Sequence, residues 1–187
     1  DQPPGDIIVL TSADTEVSLL SAAASRLAGD DAAPSIRIAN YLSLSHPFSV
    51  DNYLAATITG ARLVVVRLLG GTGYWSYGVQ QLRALADRGG PQIAFLAGDG
   101  KPDPELDYLS SLPPDRCHAL AAYLDSGGPD NALAFLTALR DLCDGTDLAP
   151  PPTPLLRAGI YWPGHRTPDL ETLRADWRDG APVAAIV

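Results

Sequence analysis

The first residue whose chemistry demands an explanation is Arg67, near the end of Leu63-Val64-Val65-Val66-Arg67-Leu68-Leu69, the most hydrophobic stretch of the chain. A guanidinium drawn into such surroundings costs on the order of 3–5 kcal/mol if left unpaired, so it calls for carboxylate partners or a bound substrate. Gly70-Gly71-Thr72-Gly73-Tyr74-Trp75-Ser76-Tyr77-Gly78 follows directly. Gly71-x-Gly73 begins like a dinucleotide-binding fingerprint, but Ser76 stands where the third glycine belongs. Bulky aromatics crowd the backbone N–H groups that a pyrophosphate would need. Tyr74, Trp75 and Tyr77 offer flat faces that can stack on a planar ring, fill a domain interface, or pack internally.

Other candidate groups have structural readings beside the chemical ones. Thr11, Ser12 and Thr15 resemble the hydroxyl-rich phosphate loop of flavodoxins. No glycine there permits close backbone approach, and hydroxyls at a helix start commonly cap it. Asp99, Asp103, Glu105 and Asp107 could hold a cation, yet they straddle a helix start, where carboxylates favour the macrodipole without any ligand. His46, His118 and His165 fall on separate elements, and His46-Pro47 suits a turn or cap. Cys117 and Cys143 have no C-x-x-C partner, which excludes a disulfide framework or a zinc module. The chain contains neither a G-x-S-x-G elbow nor a Walker A sequence. No catalytic or metal-binding set can be assigned from these residues.

The elements that must position these groups follow from hydrophobic patterning. Ile7–Leu10, Ile36–Ala39, Leu63–Leu68 and Ile93–Leu96 read as strands, each followed by a helical pattern. Four such steps predict an α/β fold: a doubly wound, flavodoxin-like parallel sheet of about four strands, the third strand interior. If the strand order is 2-1-3-4, the ligand crevice lies between the first and third strands, outside their carboxyl ends. Asp14 and Asp99 leave the adjacent loops at that edge, so an ion pair of Arg67 with Asp14 and Asp99 is expected. Beyond Pro102 the pattern is helical. Asp103-Pro104 reads as an N-cap with proline at the first helical position, and Gly127-Gly128 as a break between helices.

The proline-rich stretch Ala149-Pro150-Pro151-Pro152-Thr153-Pro154 favours an extended spacer. The expected organisation is a head domain over residues 1–148, a linker over 149–157, and the start of a second α/β unit over 158–187, read as strand, helix and strand. The chain stops within Pro182-Val183-Ala184-Ala185-Ile186-Val187, an apolar β-branched run, which suggests a piece of something longer. Thirteen basic residues against twenty-two acidic ones leave a net charge of −9, and that field disfavours nucleic acid or an anionic membrane as partner. No apolar run approaches the roughly 20 residues of a membrane span, so a cytoplasmic location is expected.

Four segments taken together resemble a known family: Arg37-Ile38-Ala39-Asn40 with His46-Pro47 and Ser49-Val50-Asp51; the run from Leu63 to Gly71 with Tyr74-Trp75 and Tyr77-Gly78; Gly98-Asp99 with Pro102-Asp103-Pro104-Glu105-Leu106; and Gly127-Gly128 with Asn131. Gly159-Ile160-Tyr161-Trp162-Pro163-Gly164 and Val183–Val187 continue the likeness. The chain is similar to the N-terminal part of the large subunits of aerobic cobaltochelatase, in the CobN and magnesium-chelatase large-subunit family. The resemblance implies ATP-dependent insertion of cobalt into hydrogenobyrinic acid a,c-diamide during cobalamin synthesis. The large subunit would hold the tetrapyrrole while AAA+ ATPase partners hydrolyse Mg-ATP. The missing Walker A sequence suits that division of labour, and no cofactor is expected in this segment itself. One departure is Gly100, where the family tends to carry a second acidic residue after Asp99, which weakens metal chelation by that loop. Arg67, Gly70, Gly71, Tyr74, Trp75 and Tyr77 are the expected substrate or interface contacts. The alternative is a free-standing flavodoxin-like flavin or small-ligand binder.

Overall fold

The computed structural model describes residues 2–28, 33–154, 159–160, 162–165, 168–176 and 180. Residues 1–153 form one compact unit and 154–187 a second. The first unit runs β1 (Ile7–Thr11), α1 (Asp14–Leu27), β2 (Ile36–Asn40), a 3-10 turn (Tyr41–Leu44), α2 (Pro47–Tyr53) with a π-helical end (Leu54–Ile58), β3 (Leu63–Leu68), a second 3-10 turn (Thr72–Tyr74) and α3 (Ser76–Asp87). It closes with β4 (Gln92–Ala97), α4 (Pro104–Leu109), α5 (Pro114–Ser126) and α6 (Gly128–Asp144).

All four strands are parallel, in the order β2-β1-β3-β4. Burial on both faces explains the unbroken apolar runs of β1 and β3, because alternation is needed only where one face meets water. Alternate side chains still divide between two cores. Ile7, Val9, Leu63, Val65, Ala94 and Leu96 pack with residues of α1, α5 and α6. Ile8, Leu10, Val64, Val66, Leu68, Ile93 and Phe95 pack against the opposite layer of α2, α3 and α4. Each fully buried Ile, Leu or Phe contributes about 1.5–3 kcal/mol of transfer free energy, which makes the sheet a rigid base for its loops.

Groups from outside the sheet bond to both of its edges. Gln2 Nε2 donates to Ile38 O at 3.0 Å, on β2. On the other side, Ser111 Oγ accepts from Ile93 N at 2.5 Å and Ser110 Oγ from Phe95 N at 2.9 Å. The segment after α4 thus takes up the strand-edge donors of β4 that a fifth strand would otherwise use.

Sequence punctuation is realised at several helix ends. His46 Nδ1 accepts from Phe48 N at 3.2 Å to cap α2, and Asp103 Oδ1 accepts from Glu105 N at 2.9 Å to cap α4. The hydroxyl cap expected at the start of α1 does not form: the capping position is Ala13, without a side-chain bond. Thr11 Oγ1 instead donates to Glu16 Oε2 at 2.5 Å.

The proline-rich stretch is tied to the first unit as far as Thr153. Tyr123 Oη donates to Pro150 O at 2.8 Å, while Asn131 binds both Thr153 O and Thr153 N, at 2.9 and 2.8 Å. Asp141 holds the approach to it, accepting from Thr146 Oγ1 at 2.5 Å and from Leu148 N and Ala149 N at 2.8 Å each. Burial pushes the Asp141 carboxyl up, but those three donors outweigh burial and hold it below the usual 3.8. A carboxylate depressed on folding adds stability that is complete above its unfolded value and is lost as pH falls through the lower folded value. Asp141→Asn is therefore expected to cost about 1–2 kcal/mol at neutral pH and less in acid, as pH falls below 3.8 and through the lowered folded value. Urea unfolding at neutral pH and in acid checks this, and an equal loss in both would contradict it.

In the second unit, α7 (Leu170–Ala175) is capped by Asp169, whose Oδ1 accepts from Thr172 N at 2.7 Å. Trp162 Nε1 and His165 Nε2 both meet Asp176 Oδ2, at 2.9 and 3.1 Å. Of the flanking strands expected at 158–161 and 183–187, residues 158, 161 and 183–187 lie outside the described residues, and residues 159 and 160 are in no strand.

Candidate functional site

The crevice at the carboxyl ends of β1, β3 and β4 is built around Arg67. Thr11 and Arg67 are register partners on β1 and β3. By alternation both side chains face the layer of α1, α5 and α6, as Val9 and Val65 do. That face decides which carboxylates Arg67 meets. Its Nη1 binds Glu16 Oε1 in the first turn of α1, and its Nη2 binds Asp125 Oδ1 at 2.7 Å near the end of α5. Gly98 O lies 3.5 Å from Nη2. The guanidinium side chain is only 12% exposed, against 20% for Glu16 and 34% for Asp125.

The expected pairing with Asp14 and Asp99 is therefore corrected. Asp14 Oδ1 accepts from Asn40 Nδ2 at 2.7 Å, beside β2, and Asp99 Oδ1 accepts from Lys101 N at 3.3 Å in its own turn. Both acids leave the right edge of the sheet, but they are committed to other groups. Glu16 and Asp125, which sequence reasoning missed, lie over the face on which Arg67 emerges. The signal for Glu16 was the parity of Arg67 along β3. Nothing local signals Asp125, because its reach depends on how α5 packs.

The glycine-aromatic loop divides into parts with different duties. Gly70 and Gly71 have φ of 78° and 76°, in the left-handed region, and turn the chain sharply after β3. Thr72 Oγ1 donates to Glu105 Oε1 at 3.2 Å, joining this loop to the start of α4. Trp75 does not face a contact surface, and that expectation is also corrected. It is 5% exposed, donates from Nε1 to Leu44 O at 3.0 Å, and packs on Tyr41 with ring centroids 5.2 Å apart. Gly78 makes room for it, since a Cβ there would lie 2.2 Å from the indole. Tyr77 Oη donates to the Asp51 carboxylate at 3.0 Å, and this bond, with the nearby negative charge, raises the phenol above its ordinary pKa. Tyr74 alone of the three is open, at 77% exposure.

The acidic stretch after β4 is similarly engaged. Asp103 caps α4, Glu105 accepts from Thr72, and Asp107 Oδ1 lies 3.0 Å from His118 Nε2. Among the described residues no three His, Cys, Asp or Glu side chains converge to hold a metal ion. A cleft of about 130 Å³ opens between the β4–α4 loop and α5, with Cys117 on its wall. Burial pushes the Cys117 thiol up, away from the thiolate form a nucleophile needs. The volume lies below the roughly 300–1,000 Å³ usual for sites of drug-sized ligands.

The site thus defines a class: a parallel α/β unit whose switch-point crevice is filled by its own Glu16, Arg67 and Asp125. The flavin-binding alternative is not favoured, since a phosphate would meet the Glu16 carboxylate where a flavodoxin offers donors. No family model matches the chain. Over all 187 residues it is 41% identical to the aerobic cobaltochelatase subunit CobN of Pseudomonas aeruginosa strain PAO1, covering 15% of that protein. Over 163 residues, 87% of this chain, it is 45% identical to the aerobic cobaltochelatase subunit CobN of a Sinorhizobium species, covering 12% of it. Its fold is similar to that of the catalytic subunit of cobaltochelatase from Mycobacterium tuberculosis, with a TM-score of 0.63 and 25% identity over 87% of this chain and 12% of that one. The chain belongs to the CobN family of cobaltochelatase subunits, and it spans 15% and 12% of the length of the curated relatives it matches.

Proposed function

We propose that the chain is an N-terminal head segment of the tetrapyrrole-binding large subunit of an ATP-dependent cobaltochelatase. The complete enzyme would insert Co²⁺ into hydrogenobyrinic acid a,c-diamide in cobalamin synthesis, working in the cytoplasm with AAA+ ATPase subunits that hydrolyse Mg-ATP. The observation that carries this reading is the 41% identity to a cobaltochelatase subunit along the whole chain. Among the described residues no helix is long and apolar enough to cross a membrane, which is compatible with it.

Metal insertion needs a pocket that positions the macrocycle, a route for Co²⁺, a base for the two departing pyrrole protons, and coupling to the ATPase. The carboxyl-edge crevice here is occupied by Glu16, Arg67 and Asp125, and the adjoining cleft is about 130 Å³. These features support a bracing role, with the chemistry in the rest of the subunit. Deleting the parent gene tests the function: the mutant should accumulate hydrogenobyrinic acid a,c-diamide without cobalt and make no cobalamin. Unchanged cobalamin synthesis would reject the reading.

A further inference from the structure

The turns after β2 and β3 are fused into one block by Trp75, through its bond to Leu44 O and its packing on Tyr41. The Tyr77–Asp51 bond joins α3 to α2 beside it. On this block stand four large apolar side chains that the unit does not cover: Leu42, Phe48, Leu69 and Tyr74, exposed by 53, 67, 56 and 77%. Single exposed apolar residues are ordinary, but four on adjoining elements, the two turns, the first turn of α2 and the position just after β3, are a concentration of the kind that marks interaction sites.

The Tyr74 ring is held in place although it is exposed. It lies against Gly70, where a Cβ would come within 2.8 Å of the ring, and the positive φ of Gly70 sets that approach. An aromatic already positioned loses little freedom when a partner covers it, which is the property of an interface anchor. A groove of about 390 Å³, lined in part by Leu44, Phe48 and Tyr53, opens along the α2 side of the block.

We propose that this block is the docking surface for the remainder of the same large-subunit polypeptide, with Phe48 and Tyr74 as its anchors. The occupant follows from length. The matched segment is only 15% and 12% of its CobN relatives, so most of each relative's mass is tethered to it. A tethered partner is present at an effective concentration near the millimolar range, and a modest apolar patch suffices to hold it. This inference rests on the proposal that the chain is part of a cobaltochelatase large subunit.

The test uses the full-length subunit carrying a benzophenone amino acid at position 48 or 74. Photocrosslinks should map within the same polypeptide, to residues beyond 187. Crosslinks only to an ATPase subunit, only to a second copy, or to no protein would overturn the docking proposal while leaving the cobaltochelatase reading standing. A native subunit that proves to end near Val187 would remove both. In the same full-length protein, Phe48→Ser with Tyr74→Ser should speed proteolytic release of the segment about thirtyfold, the scale of one interface hot spot. Both side chains are mostly exposed, so the unit keeps its fold; an unchanged release rate would also overturn the proposal.

Discussion

Arg67→Ala is expected to lower the stability of the first unit by about 3 kcal/mol, toward the lower end of the cost of breaking a buried ion pair. The loss comes mainly from what is left behind. Glu16, 20% exposed, and Asp125, 34% exposed, would face each other across the vacated guanidinium, with water screening Asp125 the more. Arg67→Lys keeps the charge but replaces a planar fork by a single ammonium, so it should satisfy one carboxylate and lose an intermediate amount. Adding Glu16→Gln to Arg67→Ala should recover part of the loss, because it removes one stranded charge. Urea midpoints of the four proteins measure all of this. A change below about 0.5 kcal/mol for Arg67→Ala, the range of an ordinary surface substitution, would show that the network is not a structural clamp.

What could be read in the sequence, and what could not, separates along the line between local and long-range information. The runs Ile7–Leu10 and Leu63–Leu68 announce strands buried on both faces, and four repeated strand-helix steps announce a parallel sheet, whose order β2-β1-β3-β4 was one assumed arrangement that the structure realises. Asp103-Pro104 and His46-Pro47 mark helix starts that the structure realises with side-chain caps. Arg67 was legible as a residue needing partners, but choosing them by loop proximity pointed to Asp14 and Asp99. Counting alternation along β3 would have placed the guanidinium on the α1 face and brought Glu16 forward. Asp125 depends on the docking of a helix nearly sixty residues later, information no short window contains.

Trp75 shows the same limit. In Tyr74-Trp75-Ser76-Tyr77 nothing local says which ring turns inward. The answer lies in Gly78, whose missing Cβ leaves space, and in Tyr41, contributed from beyond another strand. The family likeness was legible for a different reason: beside the strand segments 37–40 and 63–68 it rests on short motifs in loops and caps, whose residue types are constrained by backbone geometry whatever packs around them.

On the proposed reading this segment braces a chelatase without carrying its chemistry, and the most demanding consequence is a complete loss of activity in isolation. A corrin macrocycle needs a larger enclosure than either the cleft of about 130 Å³ beside β4 or the groove of about 390 Å³ beside α2. At the carboxyl edge the Glu16 and Asp125 carboxylates are paired with Arg67, which makes them poor acceptors for pyrrole protons. The direct measurement is cobalt insertion into hydrogenobyrinic acid a,c-diamide, followed by the absorbance of the cobalt product, with ATP and the ATPase subunits present throughout. Turnover is expected from the full-length subunit, and a rate indistinguishable from the subunit-free blank from the isolated, folded segment. Turnover by the segment above that blank would contradict the bracing role.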